Sequence, residues 1–157
     1  MKFKAAVEAT PDVADAFRSG LQALKPVDCR HITVQSTSRL RGSIDMDAAL
    51  RPSHPHDPVW DYAIGHSPTN LQEEVVYWLE VHPATDGEIK AVLAKLQWLK
   101  RWLTNAAPKL KALRKQFVWV SSGKTSLTLS SPQQKQFALA GLQHKGRSFH
   151  IPNAFGN

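Results

Sequence analysis

The apolar positions along the chain predict an α/β fold. Residues 75–82 are apolar at nearly every position, which is typical of a central strand covered on both faces. The following segment predicts a long helix capped by Asp86 or Thr85, with apolar residues at positions 89, 92, 93, 96, 99 and 103. Residues 117–120 predict another strand. Because a long helix is the usual crossover between parallel strands, we expect these two strands to be parallel.

The remaining elements follow from shorter patterns. Thr10-Pro11-Asp12 combines an N-cap hydroxyl, a proline at the first helical position and an acid in the first turn, and predicts a helix that continues to Leu24. Further strands are predicted at 31–35, 42–47, 59–65, 126–129 and 149–151, and further helices at 109–115 and 132–142. No repeat or domain break is evident, so residues 1–157 are expected to form a single domain with a central mixed sheet flanked by helices.

Charge divides the chain into two halves. Residues 1–88 carry all 13 Asp and Glu and 8 Lys or Arg, a net charge of −5, whereas residues 89–157 carry 12 Lys or Arg and no acid, a net charge of +12. The total is +7 over 157 residues. A basic segment of this kind favours an anionic partner, and nucleic acid fits better than a membrane surface because the basic helix lacks a lipid-binding face.

Composition excludes several other classes. Hydrophobic residues make up 42% of the chain and five are Trp, which is enough apolar surface for a folded core. No stretch is long and apolar enough to span a membrane, and residues 1–8 lack the apolar run of a signal peptide, so a cytoplasmic protein is expected. The lone Cys29 has no partner for a disulfide or a zinc site.

Candidate chemistry lies at the end of the apolar strand. Glu80 and His82 are two residues apart and therefore project from the same face. A buried carboxylate needs a metal, a cation or hydrogen-bond donors. Asp61, in the predicted strand 59–65, joins the pair if the two strands are neighbours. Two carboxylates suit Mg²⁺ or Mn²⁺, with the Val81 carbonyl as a further oxygen ligand, whereas a salt bridge to Lys90 or Arg41 is the purely structural alternative.

These residues resemble the PD-(D/E)XK nuclease superfamily, whose members share the restriction-endonuclease-like αβββαβ core. The resemblance covers residues 10–120 and implies that Asp61 and Glu80 bind the metal. His82 stands where the family usually has the lysine that activates the attacking water. The resemblance therefore leaves three options: His82 acts as the base, Lys90 or Lys95 from the following helix reaches back, or cleavage has been lost.

A second alignment gives the metal aspartate a different position. Gly42-Ser43-Ile44-Asp45 resembles the Gly-Glu-Ile-Asp strand of the resolvase-like branch of the same superfamily, which implies Asp45 as the metal ligand. We prefer Asp61, because its strand is better formed and lies nearer to Glu80 in the sequence.

The basic segment supplies candidates for contacts with nucleic acid. On a helical wheel Trp98 lies opposite the leucine stripe, where its indole could stack on a base or sugar, or instead cover a partner subunit or another part of this chain. The candidate residues for nucleic-acid binding are Lys95, Trp98, Arg101, Lys109, Lys111, Arg114 and Lys115.

We therefore expect a Mg²⁺-dependent endonuclease that hydrolyses phosphodiester bonds in DNA or RNA, with Asp61, Glu80, His82 and Lys90 as catalytic residues. An enzyme this small would act as a homodimer if it cuts both strands. Two alternatives remain open: a non-catalytic nucleic-acid-binding protein on the same fold, and a module that binds an acidic protein, for example in a bacterial or phage defence system.

Overall fold

A computed structural model describes residues 1–156 as an α/β fold with seven strands and six helices. The strands are β1 Ile32–Val34, β2 Leu40–Asp45, β3 Tyr62–His66, β4 Val75–Thr85, β5 Arg114–Ser126, β6 Leu142–His144 and β7 Phe149–Ile151. The α-helices are α1 Phe3–Glu8, α2 Pro26–Cys29, α3 Met46–Leu50, α4 Ile89–Ala106, α5 Pro108–Ala112 and α6 Ser131–Ala140. Single 3₁₀ turns occupy Pro11–Val13, Thr37–Arg39 and Asp86–Glu88.

Five of the strands form one mixed sheet in the order β2-β3-β4-β5-β6. The first three are antiparallel neighbours, and β5 and β6 run parallel to β4. Helix α4 connects β4 to β5, so the expected parallel crossover is confirmed. β1 and β7 form a separate parallel pair.

Both faces of the central sheet are covered, which explains the unbroken apolar pattern of β4. Val76 and Trp78 lie in a core with α1, α3, α4 and α6, whereas Tyr77 and Leu79 lie in a second core beneath the β1–β7 pair. The α/β class, the mixed sheet and the buried central strand are thus confirmed. Among residues 1–156, no helix is sufficiently long and apolar to cross a membrane.

The helix predicted from Thr10 to Leu24 is wrong. Only Pro11–Val13 is helical there, as one 3₁₀ turn. The backbone of Arg18 pairs instead with Ser43 at the edge of the sheet, through two hydrogen bonds of 3.0 and 2.8 Å. Val13 packs in the core beside α4 and Leu24 packs in the other core, so one helical face could not serve both residues.

Other differences are smaller. β5 continues to Ser126, and the strand predicted at 126–129 does not form. Helix α6 is confirmed, with Ser130 and Gln133 completing a reciprocal capping box at its N-terminus. Helices α1, α2 and α3 and strand β6 were not anticipated. Of the predicted strands, 42–47 ends at Asp45 where α3 begins, and 59–65 starts only at Tyr62.

The contact between α1 and β3 leads to a stability prediction. A Cβ added at Gly65 would overlap the side chain of Phe3, which is fully buried. We expect Gly65→Ala to lower the free energy of unfolding by about 1–3 kcal/mol, as overpacked core substitutions do. Gly87→Ala is the control because nothing lies within 4 Å of its Cβ position. Urea denaturation of both variants checks the prediction, and equal stability of the two would contradict this packing.

A buried histidine leads to a pH prediction. His66 has no exposed surface and neither ring nitrogen has a hydrogen-bond partner. Burial lowers its pKa, and the charges of Arg39 and Arg41 lower it further. In the unfolded chain His66 therefore binds a proton near pH 6.5, whereas in the folded chain it does so only at lower pH. The free energy of unfolding consequently decreases as the pH falls below this value.

The expected slope is up to about 1.4 kcal/mol per pH unit below the unfolded pKa. His66→Leu should show a correspondingly shallower loss between pH 7 and pH 5, because every other titrating group is common to both proteins. Urea unfolding across this pH range measures the difference. Parallel curves for the two proteins would show that His66 does not contribute.

Candidate active site

Asp61 and Glu80 meet where β3 and β4 lie side by side. The antiparallel register pairs Tyr62 with Leu79, which places Asp61 opposite Glu80. The Asp61 N–H donates to Glu80 Oε1 at 3.2 Å, and the Val81 N–H donates to Asp61 Oδ2 at 3.0 Å. Each carboxylate thus uses one oxygen to bind the backbone beside the other carboxylate, and its second oxygen is left for another partner.

Lys95 is that partner. Its Nζ lies 3.3 Å from Asp61 Oδ1 and in direct contact with Glu80 Oε2. Helix α4 packs over β4 and carries Lys95 three residues after the buried Val92, on the side that faces the sheet. The Glu80 side chain is 0% exposed, and those of Lys95 and Asp61 are 16% and 22% exposed. The three groups form a buried cluster that opens to solvent on the Asp61 side.

His82 extends this cluster toward the start of α4. Its Nδ1 lies 3.3 Å from Glu80 Oε2, and its Nε2 lies 2.8 Å from Glu88 Oε2. Its backbone carbonyl accepts a hydrogen bond of 3.0 Å from the indole of Trp119. Both ring nitrogens of His82 and its backbone carbonyl therefore have partners. Glu88 was not identified from the sequence, although it lies six residues after His82, just before the long helix.

Burial dominates the electrostatics of the site. It raises the pKa of Asp61 to about 7, with the charge of Glu80 adding to the rise and that of Lys95 opposing it. Burial lowers the pKa of Lys95, but the attraction of the two carboxylates outweighs this and the net shift is upward. The hydrogen bond to Glu80 raises the pKa of His82, and Glu88 adds to this rise against burial. Lys95 thus contacts two carboxyl groups, Asp61 and Glu80, while the third, Glu88, contacts His82.

The second candidate for the metal aspartate lies elsewhere. Asp45 ends β2, and its Oδ1 accepts the Ala48 N–H at 2.9 Å as the N-cap of α3. It borders a cavity of about 510 Å³ that is lined in part by Asp12, Asp15 and Arg18. Asp45 pairs with Tyr62, so alternation along the strands directs it to the opposite face from Asp61. Of the two aspartates, Asp61 is the one beside Glu80.

Two residues of α4 differ from their predicted positions. Lys90 is exposed and borders a groove with Asp86 and Gln133, so Lys95 takes the place beside the carboxylates that was given to Lys90.

Trp98 is buried against Trp102, with ring planes 10° apart and centroids 6.2 Å apart. Its indole N–H donates to Asp57 at 3.1 Å, because the loop before β3 covers this side of the helix. An exposed stacking role for Trp98 is therefore wrong.

The other predicted cations form a separate group at the far end of β4. Arg114 pairs with Val75, five residues from Glu80, which is roughly 17 Å along the sheet at about 3.3 Å per residue. Arg114 also lies 3.2 Å from Glu73. Lys115 is half-buried and donates to a backbone carbonyl of α5. The exposed members of the set are Arg101, Lys109, Lys111 and Arg114.

The donor set fits a hard divalent cation. Asp61 Oδ1 and Glu80 Oε2 converge on a single point, the position of the Lys95 ammonium. Within residues 1–156 no three His, Cys, Asp or Glu side chains are arranged to hold a metal. Mg²⁺, however, is commonly bound through one or two carboxylates and keeps several waters. These two oxygens are therefore the ones that such an ion would take.

Comparisons with known proteins leave this chemistry to be argued from the residues themselves. A scan against protein-family models and searches of curated proteins and of solved structures found no match to this chain.

Proposed function

We propose that this protein is a metal-dependent nuclease of the PD-(D/E)XK kind that hydrolyses phosphodiester bonds in DNA. The observation that carries the proposal is the convergence of Asp61, Glu80 and Lys95 from two adjacent strands and the crossover helix. The order of the elements is compatible with it: α1, β2, β3, β4, α4 and β5 follow the succession of an αβββαβ core when α2, β1 and α3 are counted as insertions. Lys95, projecting from α4, takes the role that the family resemblance gives to a lysine at the position of His82.

The charges of the site support a role for a divalent ion. The ionised carboxylates of Asp61 and Glu80 would repel a phosphate diester, and a divalent cation bound to them would offset this repulsion. Asp61 and Glu80 would hold the ion, which supplies Lewis acidity and an activated water when bound. The Lys95 ammonium would donate hydrogen bonds to the phosphate oxygens as negative charge develops there. Glu80 and Glu88 each contact one ring nitrogen of His82 and so fix the orientation of its imidazole beside the metal ligands.

The exposed cations fit a duplex substrate. Arg114 lies roughly 17 Å from the carboxylates along the sheet, and B-DNA advances about 3.4 Å per base pair. About five base pairs would separate a phosphate at the site from one at this basic group. Phosphate contacts of this kind position a duplex without reading its sequence.

The proposal is tested by incubating the protein with supercoiled plasmid, single-stranded DNA and RNA, each with Mg²⁺, with Mn²⁺ and with EDTA. We expect nicked or linear plasmid with either metal and none with EDTA. Intact substrate under every condition would reject the nuclease.

A second candidate is a non-catalytic nucleic-acid-binding protein. It is favoured by the same ion cluster, because Lys95 already satisfies both carboxylates without a metal. This protein would bind DNA with an affinity that falls steeply with salt, would be indifferent to Mg²⁺, and would cleave nothing. Retention of an acidic protein after nuclease treatment would instead indicate a protein-binding module.

A further inference from the structure

The Lys95 ammonium occupies the point at which a metal would have to bind. Of the four carboxylate oxygens of Asp61 and Glu80, two accept backbone N–H groups and are committed to the fold. The other two, Asp61 Oδ1 and Glu80 Oε2, both face Lys95 Nζ, and Glu80 Oε2 also lies 3.3 Å from His82 Nδ1. The lysine and an added cation therefore need the same pair of oxygens.

The cluster cannot hold both cations in the same place. An ammonium and a divalent ion a few Å apart repel each other, and the repulsion is strong where burial lowers the effective dielectric constant. The carboxylates are equally unable to stand alone, because Glu80 has no exposed surface. Some cation must be present at all times, and without a metal Lys95 fills that role.

The Lys95 side chain can move away from the carboxylates toward solvent. Its side chain is partly exposed, and it projects from α4 beside the Asp61 side of the cluster, where solvent reaches. Its four-carbon stem is flexible, so the ammonium can leave the two oxygens without movement of the helix.

We propose that Lys95 is an internal counter-ion that competes with the divalent metal for Asp61 and Glu80, so that metal binding displaces the ammonium from the carboxylates. The displaced ammonium is then free to contact an anionic group brought to the site. This inference rests on the proposed function for the identity of the metal, but the competition itself is a property of the three side chains.

The test is a titration with Mn²⁺ in the absence of nucleic acid. Binding is measured by isothermal titration calorimetry and by electron paramagnetic resonance of the free ion. We expect Lys95→Met to bind Mn²⁺ roughly tenfold or more tightly than the wild type, because a like charge has been removed. Lys90→Met, on the exposed side of the same helix, should bind as the wild type does. The double variant Glu80→Gln/Lys95→Met should lose the tight site.

If Lys95→Met does not fold, Lys95→Gln replaces it in the titration, because its neutral amide can still donate a hydrogen bond to Glu80. Circular dichroism verifies the fold of each variant before titration. Tighter Mn²⁺ binding by both neutral variants supports the competition. Binding that is unchanged or weaker in the folded neutral variants overturns it.

The two proposals can fail separately. If the neutral variants bind Mn²⁺ more tightly while the wild type cleaves nothing with any metal, the counter-ion role stands and the nuclease is rejected. If the wild type cleaves DNA with Mg²⁺ while the neutral variants bind Mn²⁺ no better, the nuclease stands and the competition is rejected.

Discussion

Glu80→Gln is expected to cleave DNA at least ~10³-fold more slowly than the wild type with Mg²⁺, because a metal Lewis acid contributes several kcal/mol to transition-state stabilisation. The amide oxygen can still accept the Asp61 N–H, so the backbone between β3 and β4 is preserved. What is lost is the anionic oxygen that faces Lys95 and would face the metal. The measurement is the initial rate of plasmid nicking.

Glu74→Gln is the matched control. Glu74 is also a buried glutamate that accepts a backbone N–H, that of Phe3 at 2.8 Å, but it precedes β4 at the opposite end from Glu80. Its replacement should leave the cleavage rate close to that of the wild type. An equal loss in the two variants would mean that the effect is one of folding, and full activity in Glu80→Gln would remove Glu80 from the site.

Lys95→Met is expected to lower the free energy of unfolding by about 3–5 kcal/mol at pH 8 without metal, because removing one partner leaves buried carboxylates without a counter-ion. The variant Glu80→Gln/Lys95→Met should recover most of this loss, since the fully buried charge is removed as well. Lys90→Met, at an exposed position, should remain within about 0.5 kcal/mol of the wild type. Urea denaturation gives all four values.

The destabilisation of Lys95→Met should also depend on pH. The pKa of Asp61 is raised to about 7 in the folded protein, so its contribution to stability is present at low pH and is lost as the pH rises through that value. Loss of the Lys95 charge raises this pKa further. The difference between Lys95→Met and the wild type should therefore be larger at pH 8 than at pH 5.5, and a difference that is independent of pH would contradict the assigned pairing.

The central part of the site could be predicted from the sequence because it follows from strand geometry. Glu80 and His82 are two residues apart in β4 and therefore lie on one face, and Asp61 immediately precedes the neighbouring strand β3. These relations need only the alternation of side chains and one pairing. The parallel arrangement of β4 and β5 similarly follows from the length of the connecting helix.

The place of Lys95 was harder to predict, because it depends on which faces of α4 are covered. The leucine stripe marks one buried side, and the sequence places Trp98 opposite to it. In the structure Lys95, Trp98 and Trp102 form a second inward-facing stripe at helical spacing, and the loop that contains Asp57 covers Trp98. That spacing of i, i+3 and i+7 was the available signal, but nothing local indicates that a loop closes over it.

The region between Thr10 and Leu24 shows how tertiary pairing overrides local preference. Its capping residues and apolar spacing are those of a helix. Arg18, however, bonds to the exposed edge of β2 at Ser43, and Gly20 adopts a positive φ of 53° in the turn that follows. Both features depend on a strand that lies more than twenty residues later in the chain.

Parallel cleavage assays of Asp61→Asn and Asp45→Asn with Mg²⁺ test the central claim most directly. Asp61 lies beside Glu80 and Lys95, whereas Asp45 caps α3, and Asn is an equally good N-cap. Asp61→Asn is expected to nick plasmid at least ~10²-fold more slowly than the wild type, because one charged metal ligand is lost, while Asp45→Asn retains its activity. Loss of cleavage in Asp45→Asn alone, or unchanged cleavage in Asp61→Asn, would contradict this claim.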